Sequence, residues 1–238
     1  MLVWYVAALA IGKEILLPTP HKAFAQLVQF LTSENFYVSV AATLLHAVAS
    51  FLASLILAFA LAVVASLSKT VEMLLYPFTV ILRVAPTMSV IFLAIIWISS
   101  ADVPYLLVFL VVFPMLYTAF LSAIKGVDVD LKQMSKVYGV QKKHVLLHLY
   151  IPSVASAVYG QIASTLSFSV KLAVAGEAVA QGSMSLGFLM QKTKVSLETG
   201  QLIAYTVVAI VLGFLLELAV KFIAYVIKKV RCKYAKAD

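Results

Sequence analysis

The chain has one cysteine, Cys232, so no disulfide can form within it, and metal ligation by a Cys/His set is not expected. Charge is scarce too. Only 12% of the 238 residues are charged and 63% are hydrophobic, whereas a soluble domain carries roughly 25% charged residues. No single core buries that much apolar surface in water, so lipid is the solvent this composition requires. Acidic residues are the rarest charge, giving a formal net charge of +8. Nucleic acid is nevertheless excluded as a partner, because the cations lie between apolar runs and not on the face of a polar domain. The phosphate-cradling pattern G-x-x-x-x-G-K-[ST] is absent, so nucleotide chemistry is not expected in this chain. Internal repeats and low-complexity tracts are also missing. Met1 leads into apolar residues without a basic stretch, so no cleavable signal is expected. The economical reading is one membrane domain over residues 1–238, with its core in 38–230.

Long apolar runs are what the chain does have. A helix needs about 20 apolar residues to cross about 30 Å of hydrocarbon. Five runs qualify: Val40–Leu67, Tyr76–Ser99, Pro104–Ile124, Ser153–Ala180 and Leu202–Ile227. Leu2–Ile11 is too short alone and becomes a span only by continuing through Ile15–Leu17. The expected fold is therefore an all-α integral membrane protein with about six transmembrane helices. Two further short segments, His21–Thr32 and Ser183–Leu197, are predicted as a weakly amphipathic helix and an outer segment.

Cation distribution orients the spans. Lys69 and Arg83, then Lys125, Lys132, Lys136, Lys142 and Lys143, then the tail from Lys228 onward form the richer set. The alternate loops are poorer, holding Lys13 and Lys22, then Asp102 alone, then Lys192 and Lys194. Excess Lys and Arg mark the cytoplasmic side, which with six spans places both termini there.

The longest polar interruption is "MSKVYGVQKKHVLLHLYIP", Met134 to Pro152, within a loop over about residues 126–152. Asp128 and Asp130 can cap a helix beginning near Leu131, with Leu131, Met134 and Tyr138 on one apolar stripe. Gly139 follows where a chain leaving a helix needs positive φ. A second helix over Gln141–Tyr150 places Val145, Leu146 and Leu149 on one face, and Pro152 suits the first turn of the next span. This helix–glycine–helix elbow either offers its stripe to a partner's groove or folds back on its own bundle.

Few charges lie inside the spans. Lys171 and Glu177 share one helix about 120° apart, so they are not expected to pair. Intramembrane ionisable groups face a cavity or a partner. Lys171 accordingly lines a path suited to an anion or pairs with a carboxylate on a neighbouring helix, while Glu177 suits a brace or gate. Thr118 and Ser167, with Tyr117, Ser164 and Thr165, offer polar groups to a path or to interhelical bonds. Glu217 and Lys221 are spaced as a helical ion pair. Arg83 is read as capping a helix end or binding lipid phosphate, Pro86 and Pro114 as kinks, and His46 as a hydrogen-bonded interior histidine.

The elbow resembles the cytoplasmic loop of permease subunits of binding-protein-dependent ABC importers, E-A-A-x3-G-x9-I-x-L-P. Gln133, Met134 and Ser135 stand at the E-A-A positions, followed by Gly139, Leu149, Ile151 and Pro152 at matching spacing, with Tyr138 on the stripe. Gln133 departs from the acidic residue of that pattern. "LLPTPHKAFAQL" (Leu16–Leu27), "LLYPFTVILRVAP" (Leu74–Pro86) and "AGEAVAQGSMSLGFLM" (Ala175–Met190) are similar, in order, to the nitrate, sulfonate and taurine branch of type I permeases. The resemblance implies a non-catalytic subunit in the plasma membrane of a prokaryote. It pairs with a second copy of itself, grips two cytoplasmic ATPases through the two elbows and receives substrate from an extracytoplasmic binding protein. ATP and magnesium would then sit on the ATPase, with no cofactor on this chain. The implied cargo is a small organic anion such as a sulfonate, taurine or nitrate, or else a vitamin precursor such as the thiamine pyrimidine or riboflavin. An ion-coupled secondary transporter using Lys171 and Glu177 is the alternative of another class, although such transporters usually show an internal repeat.

Overall fold

The structure, a computed structural model, describes residues 18–30 and 34–234 together with residues 5, 8, 10 and 12. The expected first span over Leu2–Ile11 and the end of the tail beyond Tyr234 lie outside these, apart from Tyr5, Ala8 and Ala10. The described chain is helical throughout. α1 (Pro20–Phe30) is followed by α2 (Glu34–Leu67), α3 (Lys69–Val84), α4 (Thr87–Trp97) and α5 (Val103–Lys125). Then come α6 (Val129–Val137), the single turn α7 (Lys142–Val145), α8 (Ile151–Ala180), α9 (Leu186–Val195) and α10 (Thr199–Tyr234). Among the described residues, four stretches are long and apolar enough to cross a bilayer, Asn35–Leu67, Val103–Lys125, Lys143–Ala180 and Thr199–Val226, and the bent pair Lys69–Val84 with Thr87–Trp97 passes the same test together.

The predicted span over Tyr76–Ser99 is present as the bent pair α3 and α4, with other bounds and with the kink expected at Pro86. The helix there begins earlier, at Lys69 behind the Ser68 cap, and breaks at Ala85–Pro86, where the chain turns by 97° into α4. Proline is the cause. Pro86 has no N–H to continue the ladder, and its ring drives the preceding residue out of helical ψ; Ala85 and Pro86 have ψ of 127° and 120°. Pro114, by contrast, stays inside α5.

Contacts divide the chain into two compact units, neither continuous in sequence. The first comprises Met1–Ser50, Pro86–Val108 and Ser167–Leu215, the second Phe51–Ala85, Phe109–Leu166 and Leu216–Asp238. In the first, Phe36, Leu186 and Tyr205 form an apolar core, with Val40, Val174, Leu189 and Met190 packed against it. In the second, Ala58, Ala62 and Ala65 of α2 are buried, and Phe59 meets Phe120 edge-on at 5.3 Å. Small residues at intervals of three and four let membrane helices approach closely, which compensates for the missing hydrophobic drive between helices in lipid. The outward residues of α10, including Ile210, Phe214 and Phe222, are exposed, as expected for a helix whose solvent is hydrocarbon.

Candidate functional site

The elbow is built by local rules. Asp128 caps α6: its Oδ1 accepts from the N–H groups of Asp130 at 2.8 Å and Leu131 at 3.4 Å. The helix thus starts at Val129, two residues before the predicted start, because Asp128 alone is the cap and Asp130 lies in the first turn. Gly139 has φ of +64°, the left-handed conformation expected at that position. Lys132 Nζ sits over the Tyr150 ring at 5.5 Å from its centroid, joining the two arms.

The second arm differs from its prediction. After α7 the chain makes a wider π turn, Leu146–Tyr150, in which the Ile151 N–H donates to Leu146 O, and it runs directly into α8. Pro152 stands in the first turn of α8, as expected, but that helix is not separate from the arm: Lys143–Ala180 is one span with the π turn inside it. Widening the ladder just before a proline accommodates the lost N–H and the bulky ring. The wider turn also rotates Leu146 off the expected face: Val145 and Leu149 are half-buried, whereas Leu146 is 53% exposed. No residue of α6 is buried. Gln133, Met134, Val137 and Tyr138 are exposed, Ser135 is half-buried, and Ile151 is exposed at the root of α8. At the base of the first arm, Lys125 Nζ pairs with Glu72 Oε2.

The second locus is a buried carboxylate in the first unit. Glu177, near the end of α8, is 2% exposed. Its Oε2 accepts from the Thr43 hydroxyl at 2.8 Å and the Gly187 N–H at 2.9 Å, while His46 Nδ1 lies 2.7 Å from Oε1. Thr43 Oγ1 in turn accepts from the Leu186 N–H at 3.0 Å. Tyr105 packs edge-on against the His46 ring at 4.6 Å. The chain reaches this arrangement through a sharp reversal. Gln181 has φ of +51°, and Ser185 caps α9 by accepting from the Phe188 N–H at 3.4 Å. Gly187 permits the closest approach: a Cβ there would fall 2.3 Å from Val174 O and 2.6 Å from Glu177 Cβ.

Other predicted residues are placed as follows. Lys171 is exposed on α8, its Nζ 5.7 Å from the Phe168 ring centroid, and no described carboxylate pairs with it. Ser167 is half-buried against Gly213 of α10. Thr118 spends its hydroxyl on its own helix, donating to Pro114 O and Met115 O. Glu217 and Lys221 pair at 2.6 Å. Arg83 is exposed in the last turn of α3, where a cation favours the helix dipole. Sequence reading singled out Glu177 and His46 separately and missed Thr43, Gly187 and Tyr105. Thr43 and His46 stand one turn apart in α2, a spacing that puts two polar groups on one face of an apolar helix.

Known proteins agree with this architecture. The taurine transport system permease protein TauC of Escherichia coli strain K12 is 24% identical over 224 residues, 92% of this chain and 81% of that protein. The formylaminopyrimidine transport permease protein ThiX of Halalkalibacterium halodurans is 23% identical over 229 residues, 93% of this chain and 88% of its own. An amino acid ABC transporter crystallised with histidines shares the fold with a TM-score of 0.64 at 11% identity, over 82% of this chain and 93% of that one. Residues 51–229 match the family described as the binding-protein-dependent transport system inner membrane component. The ion-coupled secondary transporter loses its footing with that match, which takes in the elbow, the second half of α2 and every later span. The chain belongs to the family of inner membrane components of binding-protein-dependent transport systems and is a type I ABC importer permease.

Proposed function

We propose that this chain forms one half of the translocation path of an ATP-driven importer for a small organic anion of the sulfonate class. Two copies enclose the path, and each elbow docks on a cytoplasmic ATPase that binds ATP and magnesium. A separate binding protein delivers the cargo from outside, and both termini of the permease face the cytoplasm. The observation that carries this reading is the continuity of the elbow with a span: the arm Lys142–Tyr150 passes without interruption into α8. A displacement of the exposed α6 and α7 is thereby a displacement of a membrane helix. The apolar residues Met134, Val137 and Tyr138, uncovered by this chain, suit a groove on a partner.

The path side of α8 is supported by its periodicity. Ser153, Ser156, Gly160, Ser164, Ser167 and Lys171 recur every three or four residues, and a face that polar is unsuited to hydrocarbon. Lys171 contributes a cation for an anionic headgroup. The taurine permease among the relatives favours a sulfonate. The formylaminopyrimidine permease supports a second cargo, a pyrimidine vitamin precursor, for which the Lys171 cation has no evident use.

The test is purification and reconstitution with the ATPase and binding protein of the same system. ATP-dependent uptake of taurine or a simple alkanesulfonate is the expected result, with loss of ATPase retention when Met134 and Tyr138 are both replaced by Asp. Full retention and undiminished uptake in that double variant would remove the elbow from coupling. Uptake of the pyrimidine and not the sulfonate would replace the cargo.

A further inference from the structure

Glu177 does something that pairing with a single partner would not require. One carboxylate on α8, with no exposed side-chain surface, gathers groups from two other stretches of chain: Thr43 and His46 on α2, and the first turn of α9. The first amides of any helix lack intrahelical acceptors. In α9, the Leu186 N–H is taken by Thr43 Oγ1 and the Gly187 N–H by Glu177 Oε2. A negative group at that end also matches the helix dipole. Side chains from two other helices thus complete the cap that Ser185 begins.

Opening this arrangement would strand two backbone donors, a hydroxyl, an imidazole nitrogen and a carboxylate in an apolar surrounding. Groups so placed keep their partners, because water is not there to replace them. Segments that change partners in a working cycle are drawn from loosely packed regions. This one is the opposite: Gly187 has no room for a methyl group, and Phe36 and Leu186 close over the apolar side.

We propose that Glu177 is a positioning residue that locks α9 to α2 and to the end of α8, so that the segment Ser183–Val195 keeps one shape throughout transport and is not itself a moving gate. The idea rests on the importer reading for its transport consequences, whereas the lock itself does not.

Two measurements test it, one independent of transport. Amide hydrogen exchange of the purified permease should show the Leu186 and Gly187 amides exchanging at least about tenfold faster in Glu177→Ala than in the wild type, while Glu177→Gln, which keeps one carbonyl oxygen in place, stays near the wild type. Unchanged exchange in Glu177→Ala overturns the lock. In the reconstituted importer, Val40→Cys with Leu189→Cys, in a Cys232→Ser background, is cross-linked by oxidation to tie α2 to α9. Uptake within about twofold of the reduced protein is expected, since a fixed block loses nothing by being tied. Uptake abolished by oxidation and restored by reduction shows that α9 must move and overturns the proposal. Should Glu177→Ala fail to fold, Thr43→Val, which removes the acceptor of the Leu186 N–H, decides the exchange arm: faster exchange of that amide is expected, and an unchanged rate overturns the lock. Absence of ATP-driven uptake in the wild type would defeat the importer reading and leave the exchange result standing.

Discussion

At Gly187 the constraint is space, since a Cβ would overlap the Val174 carbonyl oxygen and Glu177 Cβ. Both neighbours belong to a continuous helix that cannot retreat locally. Gly187→Ala should therefore lower stability by about 1–3 kcal/mol, the range for overpacking a filled site, and thermal unfolding of the detergent-solubilised protein should register a clear drop. Lys171 is the contrasting case, an exposed cation with no described carboxylate beside it. Lys171→Met should leave the thermal transition unchanged and raise the KM for a sulfonate several-fold, read from uptake at varied substrate. An unchanged KM would take the residue out of the path. The sequence made both charges conspicuous, because ionisable groups in an apolar run stand out. It could not disclose that Glu177 is consumed by Thr43, His46 and Gly187, since those partners lie up to 134 positions away and a threonine in an apolar helix is ordinary. Thr118 shows the reverse: its hydroxyl looked available and is spent on its own helix beside Pro114.

Among the elements, those with a local signature were readable. Asp128 as a cap, Gly139 as a left-handed exit and the apolar runs that became α2, α5, α8 and α10 all follow from rules within a few residues. Proline acted unequally at two positions read alike: Pro86, expected as a kink, turns the chain by 97°, whereas Pro114, expected as another, stays inside α5. Composition does not say which of these a proline will cause; neighbouring packing does. The elbow's angle depends on Gly139, whose missing Cβ has open space around it. Gly139→Ala consequently meets no clash, and its cost, about 1–2 kcal/mol, is that of holding an L-residue at positive φ. That strain is most easily relieved by changing the angle between α6 and α7. Uptake should fall while the membrane helices melt at the wild-type temperature, a pattern opposite to that expected for Gly187→Ala. Equal losses of stability in the two variants would show that the elbow is part of the folded core and not an appendage of α8.

At the scale of the whole chain, sidedness follows from where the cations fall. Odd and even connections differ in Lys and Arg content, and the rule that the richer side stays in the cytoplasm predicts, as the proposed orientation requires, that α6 and α7 lie inside and the last turn of α9 outside. The structure offers an exposed reporter for each side, Met134 on α6 at 55% and Lys192 on α9. In a Cys232→Ser background, Met134→Cys and Lys192→Cys can be labelled separately with a maleimide that does not cross membranes. Sealed right-side-out vesicles should label position 192 and spare position 134, and inverted vesicles should do the opposite. The helices between them make this stringent. Position 134 precedes α8 and position 192 follows it, with a single crossing over Lys143–Ala180 between the two. Labelling of both from one side would mean that α8 does not span, and the polar face ending at Lys171 would then have no path to line. Labelling with the sides exchanged would keep the span but turn the elbow away from the compartment that holds ATP, and the coupling proposed for Met134 and Tyr138 would have no engine to grip.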